Sequence, residues 1–315
     1  MDRRLRIGTR GSALACVQAE HVKTLLLARR PETEIEIEVL RVSGDEERTP
    51  SPAGQAPADK SRWVDTIEDA LLDERIDLAV HSAKDVPVEP AAGLALLGTP
   101  PRAAVEDVLC GTPSLEALPA GGRVGTSSIR RAAQLRAARE DLEIVTLAGN
   151  VDTRLRKLAA NEIDAIVLAR AGLQRLDREA EIGAVLDPER FVPAPGQGAL
   201  ALEGRIADAR TREAAEEISD DDAFACLRAE RALARELSAT CNTPLGACAV
   251  PAGCGCLHMR AWVGLPDGSA WIADELLGGF YDPEALGRRV AERLTVAGAD
   301  ELLSRAEEMA GVGNA

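Results

Sequence analysis

A carboxylate, Asp85, stands in the segment AVHSAKDVPV at residues 79–88, beside Lys84 and just after His81 and Ser82. An acid and a cation placed side by side can stabilise developing charge and move protons, provided the backbone aims them at a ligand. The apolar run at 76–80 leads into this cluster and Pro87 removes a ladder donor beyond it, which reads as a buried strand ending in a site. Ligands of open α/β sheets bind beyond the carboxyl ends of strands, so this placement favours contact with substrate over a solvated surface pair.

Three more clusters carry chemistry. In IGTRGSALA at 7–15, Arg10 and Ser12 lie between a strand end and a helix start. Helix N–H groups with a guanidinium make a carboxylate or phosphate site, and a simple capped helix fits equally well. In GTSSIRR at 125–131, Thr126, Ser127 and Ser128 offer hydroxyls at a helix start, and Arg130 and Arg131 offer two forks one turn in. Adjacent guanidiniums repel unless an anion sits with them, so an anionic ligand is expected there, with Arg154 and Arg156 extending the patch. In SATCNTPLG at 238–246, Cys241 occupies a small-residue loop, open to service as nucleophile, redox centre or covalent attachment point. The chain has only three histidines, at 21, 81 and 258, which argues against a Cys–His hydrolase.

These side chains need a scaffold of alternating strands and helices. Strands are expected at 5–8, 34–39 and 76–80, with Ile35, Ile37 and Val39 on one face, and helices at 11–30 and 61–74. The polar, Pro/Ala/Gly-rich stretch 43–60 reads as a long loop of the kind that forms active-site lids. From about residue 100 a second βαβα rhythm begins, with strands at 107–110, 124–126, 143–147 and 163–168 and helices from Ser127, Val151 and Ala171. Residues 192–204 read as a return crossing, after which a helix at 220–237, strands at 245–250, 256–263 and 269–276, and helices at 283–296 and 299–309 form a smaller unit. No internal repeat is visible. The expected fold class is α/β, with two doubly wound domains and a third, smaller α+β domain. The boundaries fall at 1–98 with 199–217 for domain 1, 99–198 for domain 2 and 218–315 for domain 3.

Composition narrows the function. The 315 residues suffice for two or three domains, and an aromatic content of 2% makes the cores aliphatic. A net charge of −15, with four lysines among 37 basic residues, leaves no surplus to neutralise nucleic-acid phosphates. No apolar run of membrane-spanning length and no export signal is read, so no membrane partner and a cytoplasmic location are expected. The seven cysteines are odd in number and suggest no disulfide framework. Cys248, Cys254, Cys256 and His258 form only a loose C-x-C-x-H pattern, and no metal site is expected.

Taken in order, RIGTRGSALA, DLAVHSAKDVP, VGTSSIRRAAQL, GNVDTRL, PGQGALALE and CNTPLG resemble the porphobilinogen deaminase (hydroxymethylbilane synthase) family from about residue 4 to 310. The resemblance implies a transferase of porphyrin and haem biosynthesis. It joins four porphobilinogen units, with loss of ammonia, into the linear tetrapyrrole hydroxymethylbilane. It implies one dipyrromethane cofactor per chain, attached by thioether to Cys241, and a catalytic role for Asp85, which would stabilise the cationic azafulvene left when ammonia departs. Lys84, Ser82, Thr126, Ser127, Ser128, Arg130, Arg131 and Arg154 match cofactor-binding positions. Arg10, Ser12, Gln18, Lys60, Trp63 and Gln197 match substrate-binding ones. It further implies two lobes like type II periplasmic binding proteins, hinge motion near 98–104 and 193–198, a monomer, and a product handed to the next tetrapyrrole enzyme.

Two departures stand out. Ala148 replaces an arginine usual before Gly149-Asn150-Val151, and a lysine expected in the lid falls near Ala56, where Arg62 is the nearest compensation. Competing readings are a non-catalytic binder of a small polyanion and an impaired paralogue that stalls in elongation. The pairing of Asp85 with Cys241 speaks against the pure binder, which needs neither group.

Overall fold

A computed structural model describes residues 4–40, 61–240, 242–253 and 255–312. The first sheet contains β1 (Arg4–Arg10), β2 (Glu34–Leu40), β3 (Leu78–Ser82), β4 (Leu94–Gly98) and, from much later in the chain, β10 (Leu200–Arg205), in the order β2-β1-β3-β10-β4. β2 and β3 run parallel to β1, and β10 runs antiparallel to β3 and β4. The second sheet contains β5 (Asp107–Cys110), β6 (Arg123–Gly125), β7 (Glu143–Val145), β8 (Ala165–Ala169) and β9 (Ala184–Val185), in the order β7-β6-β8-β5-β9.

Both sheets therefore follow one plan. In each, the next-to-last strand is antiparallel to its neighbours and is the strand that enters from the other sheet, β10 in the first and β5 in the second. This duplication is absent from the sequence because it lies in backbone pairing, which many apolar sequences satisfy alike. The result is two lobes joined by two crossing segments, the periplasmic-binding-protein-like arrangement that the resemblance implies.

Helices cover both faces of each sheet, and the inner strand β8, AIVLA, is accordingly apolar throughout rather than alternating. On one face of the first sheet, Leu5, Ile7, Leu78, Val80, Leu200 and Leu202 pack on α1 (Ala13–Arg29) and α6 (Ala209–Ile218). On the other, Leu40, Ile76, Ala79 and Leu94 pack on Ile67 and Leu71 of α2 (Ser61–Leu72). The second sheet is covered by α3 (Ile129–Ala138) on one side and by α4 (Val151–Ala159) and α5 (Arg170–Arg175) on the other. A third, antiparallel sheet of β11 (Leu245–Pro251), β12 (Cys256–Gly264) and β13 (Trp271–Gly279) packs on α7 (Asp221–Glu236), α8 (Pro283–Val296) and α9 (Ala299–Val312).

Three elements were not expected from the sequence: β4, β9 and α6. The buried face of α6 is Thr211, Ala214, Ala215 and Ile218, too weakly apolar to produce a clear helical period. Val39 also departs from expectation. It is 48% exposed while Leu40 is buried with Ile67 and Leu71, because α2 covers the sheet face opposite to that of Ile35.

Candidate active site

β3 delivers the acid. Its residues are buried up to His81, and Ser82 Oγ accepts a 2.8 Å hydrogen bond from Gln18 Nε2 of α1, so Gln18, only 2% exposed, fastens the strand end from below. Ala83 N–H then bonds Ala199 O at 3.1 Å, and the chain makes one 3-10 turn over Ala83–Asp85. Gly196, at φ +74°, presses on this turn: a Cβ there would lie 3.0 Å from Ala83 C and from Lys84 N. On the far side Arg231 of α7 donates to Pro87 O at 2.6 Å and Val88 O at 2.7 Å. Lys84 and Asp85, both half-buried, are thereby held on a turn braced from three directions.

The opposite wall comes from the second sheet. Ser127 Oγ accepts from Arg154 Nη2 at 3.2 Å, and Arg154 Nε donates to Gly149 O at 2.8 Å. Burial first, then the charge of Arg131, pull the Arg154 guanidinium down to about 10, and the Asp85 carboxylate opposes them. Asp85 from one lobe thus acts electrostatically on Arg154 from the other. Thr126 is buried and its Oγ1 accepts from Ser128 N–H, while Ser128 caps α3 by accepting from Arg131 N–H at 3.4 Å. Ser12 likewise caps α1, accepting from Ala15 N–H at 3.3 Å. Of the two readings of its segment, the structure displays the cap. Arg10 is half-buried at the end of β1.

The anion expected between Arg130 and Arg131 turns out to be internal. Asp107 Oδ1 accepts from Arg131 Nε at 3.0 Å and Nη2 at 2.7 Å, and Arg130 Nη1 lies 2.8 Å from Asp107 Oδ2. Arg131 Nη1 also serves Val167 O, and Arg130 Nη1 serves Val192 O. All three side chains are buried. Burial alone would raise the Asp107 carboxyl, but the two guanidiniums hold it well below the usual carboxylate range. These arginines can offer a ligand only the donors that Asp107 and the carbonyls leave over. Gln197 differs from expectation more sharply. It is wholly buried, and its Nε2 donates to Val105 O at 2.7 Å and Asp107 Oδ1 at 2.9 Å, so it braces the crossing segments instead of lining a cleft.

Three features escaped the sequence reading. Arg175 on α5 donates to Gly198 O at 2.7 Å and is pulled down to about 10 by burial. Among the described residues, neither Arg154 nor Arg175 hydrogen-bonds a carboxylate. Arg102 and the fully buried Glu230 form a bidentate pair at 2.7 and 3.0 Å, and Glu230 also takes the N–H groups of Gly196 and Ala249. Asp107 itself sits in an ordinary strand sequence, DVLC, and nothing local marks its partners. No sequence pattern distinguishes these residues, because each acts on a group far away along the chain.

Cys241 and Lys60 lie outside the described residues, as do the side chains of Arg62 and Trp63. Around position 241, Thr240 N–H bonds Thr243 Oγ1 at 2.8 Å and Asn242 N–H bonds Thr240 Oγ1 at 3.2 Å, a hydroxyl-tied turn. Among the described residues there is no cluster of His, Cys, Asp and Glu suited to a metal, and no helix is long and apolar enough to cross a membrane.

Comparison with known proteins gives this geometry a family. Residues 5–213 match the family model "Porphobilinogen deaminase, dipyromethane cofactor binding domain", and residues 224–295 match "Porphobilinogen deaminase, C-terminal domain". The porphobilinogen deaminase of Deinococcus deserti is 42% identical over 97% of this chain and 100% of its own length. That of Xanthomonas euvesicatoria is 45% identical over 95% of this chain and 98% of its own. Among solved structures, the periplasmic VFT2 domain of Bordetella pertussis BvgS aligns with a TM-score of 0.42 and 14% identity, over 69% of this chain and 87% of that one. With both parts of one family matched in order and relatives aligned from end to end, the chain belongs to the porphobilinogen deaminase family.

Proposed function

We propose that this chain is a hydroxymethylbilane synthase, a transferase that polymerises four porphobilinogen units with release of ammonia on a covalently held dipyrromethane. The observation that carries this reading is the pair Arg154 and Arg175, two largely desolvated guanidiniums whose hydrogen bonds go only to neutral acceptors. Arg102 and Arg131, by contrast, meet the carboxylates of Glu230 and Asp107, and the buried Arg231 is engaged by the carbonyls of Val86, Pro87 and Val88. Guanidiniums that hydrogen-bond no carboxylate of the chain suit a ligand rich in carboxylates, and a pyrrole chain bearing an acetate and a propionate on every ring is one.

The residues present therefore fit dipyrromethane. When bound through Cys241, that group supplies the nucleophilic pyrrole carbon that accepts the next unit. Arg154, with Ser127 beside it, would bind carboxylate side chains, with Lys84 adding a point charge from the other lobe. Asp85, fixed on its braced turn, would stabilise a cationic substrate centre brought beside it and accept or return its proton.

Family resemblance supports the rest of the reading. It comprises three domains at 1–98 with 199–217, 99–198 and 218–315, a monomer in the cytoplasm, and a linear product passed to the next enzyme. Intact mass of the denatured protein tests the function directly. A covalent excess of two linked pyrroles that disappears in Cys241→Ser, with further additions on incubation with porphobilinogen, is expected. A bare polypeptide mass that persists after such incubation would refute it.

A further inference from the structure

In the layer between the first sheet and α2, three ionisable side chains are buried together: His81 on β3 at 7% exposure, Glu203 on β10 at none, and Glu68 on α2 at 8%. Strand register explains the meeting. His81 pairs with Ala201 and Ala79 with Glu203, so His81 and Glu203 are diagonal neighbours on the face turned to α2. His81 Nε2 lies 3.0 Å from Glu203 Oε2. Glu203 Oε1 is buried and, among the described residues, has no hydrogen-bond partner. The carboxyl positioned to supply a donor is that of Glu68 on α2, the helix packed on β3 and β10, whose Oε1 accepts Ala91 N–H at 3.0 Å.

Two ionised carboxylates in contact inside a protein repel, and neither can donate to the other. One hydrogen on Glu68 removes the repulsion and satisfies the orphaned oxygen of Glu203. Asp65 on α2 adds negative charge beside Glu68, and Arg231 on α7 faces Glu203, with Glu89 also acting on that guanidinium. Burial, above all, and then the charge and hydrogen bond of Glu203 push the Glu68 carboxyl up, against the pull of the Ala91 amide.

We propose that Glu68, Glu203 and His81 form a buried proton-holding relay that positions the Asp85 turn. Its hydrogen bonds run from Glu68 O–H to Glu203 and from His81 Nε2–H to Glu203. The relay acts at both ends of the turn. His81 lies just before the 3-10 turn, and Glu203 is a counter-charge for Arg231, which grips the carbonyls of Pro87 and Val88 just after it. None of the three is assigned a substrate contact; they are positioning residues for the acid.

The test uses the primer-loaded enzyme, its Glu68→Gln variant, which keeps a donor and cannot ionise, and its Glu68→Ala variant, which has neither property. Infrared difference spectra of the parent at neutral pH are expected to contain a buried carboxylic-acid carbonyl band that Glu68→Gln lacks. The kcat of the parent is expected to fall as rising pH ionises Glu68, with that fall absent from Glu68→Gln. Glu68→Ala is expected to lose about tenfold in kcat at every pH with KM little changed. No acid carbonyl band in the parent, or kcat profiles for Glu68→Gln that superimpose on the parent, would overturn the relay. If Glu68→Ala does not fold, the parent and Glu68→Gln still decide. The kinetic arm rests on the deaminase reading, whereas the infrared arm detects the shared proton whatever the enzyme catalyses.

Discussion

Gly196 donates its N–H to Glu230 Oε2 at 2.6 Å, and it lies so close to the peptide between Ala83 and Lys84 that a Cβ on it would come within 3.0 Å. One residue of the crossing segment thus joins α7 to the Asp85 turn. The next residue of α7, Arg231, grips the far end of the same turn. The position of Asp85 is therefore a property of three units at once: the strand that carries it, the crossing segment behind it and the helix that clamps both.

Gly196→Ala tests this coupling. A non-glycine residue at φ +74° costs roughly 1–2 kcal/mol, and the added Cβ would also displace the Ala83–Lys84 peptide. The expected outcome is a modest fall in stability with a disproportionate fall in kcat, read from urea melts and steady-state rates on the same preparation. A variant as active as the parent would show that the turn does not depend on this contact.

Asp107→Asn is expected to be a stability variant before it is an activity variant. It leaves two buried guanidiniums facing a neutral amide, and breaking a buried pair of this kind costs about 3–5 kcal/mol. The pH dependence follows from the depressed Asp107 carboxyl. Its contribution is complete above its ordinary value of 3.8 and is lost as pH falls through its lower value in the folded protein. The parent should lose stability below about pH 4, and Asp107→Asn should lose less over that interval. Denaturant midpoints measured across the acid range check both statements, and parallel curves for the two proteins would contradict the assignment.

Arg154→Met separates binding from folding. Because Arg154 is desolvated without a carboxylate partner, its removal should leave the melting temperature unchanged or slightly raised. The same change should weaken retention of carboxylate-bearing pyrroles by about ten- to a hundredfold, the worth of one charge-assisted hydrogen bond. A large drop in melting temperature would mean that the guanidinium is structural.

Legibility from sequence followed the range of each interaction. The Asp85 strand was readable because an apolar run ends in a polar cluster and a proline, all within ten residues of chain. The helix caps at Ser12 and Ser128 were equally local. Asp107 was not readable as the partner of Arg131, since 24 residues separate them and only the pairing of β5 with β8 brings them together. The same holds for Gln197, assigned by motif to a ligand and found serving Asp107 instead. Motifs group residues that are close along the chain, and tertiary hydrogen bonds decide which of them are already engaged by the protein itself.

Ala148→Arg addresses one of the two places where the chain departs from its family's pattern. Ala148 is exposed and precedes Gly149, whose carbonyl orients Arg154 through a 2.8 Å hydrogen bond. A guanidinium at 148 would stand next to the cationic wall, where it could take a carboxylate of the growing chain without desolvating a group already satisfied. One added charge-assisted hydrogen bond is worth roughly 1.5–3 kcal/mol, or about a ten- to hundredfold gain in affinity for whichever intermediate it reaches. Because that gain applies to some chain lengths and not others, it should appear as a changed distribution of covalent intermediates in intact-mass spectra taken during turnover. A distribution identical to the parent, at unchanged KM, would mean that Arg154 and its neighbours already bind every intermediate as tightly as elongation requires.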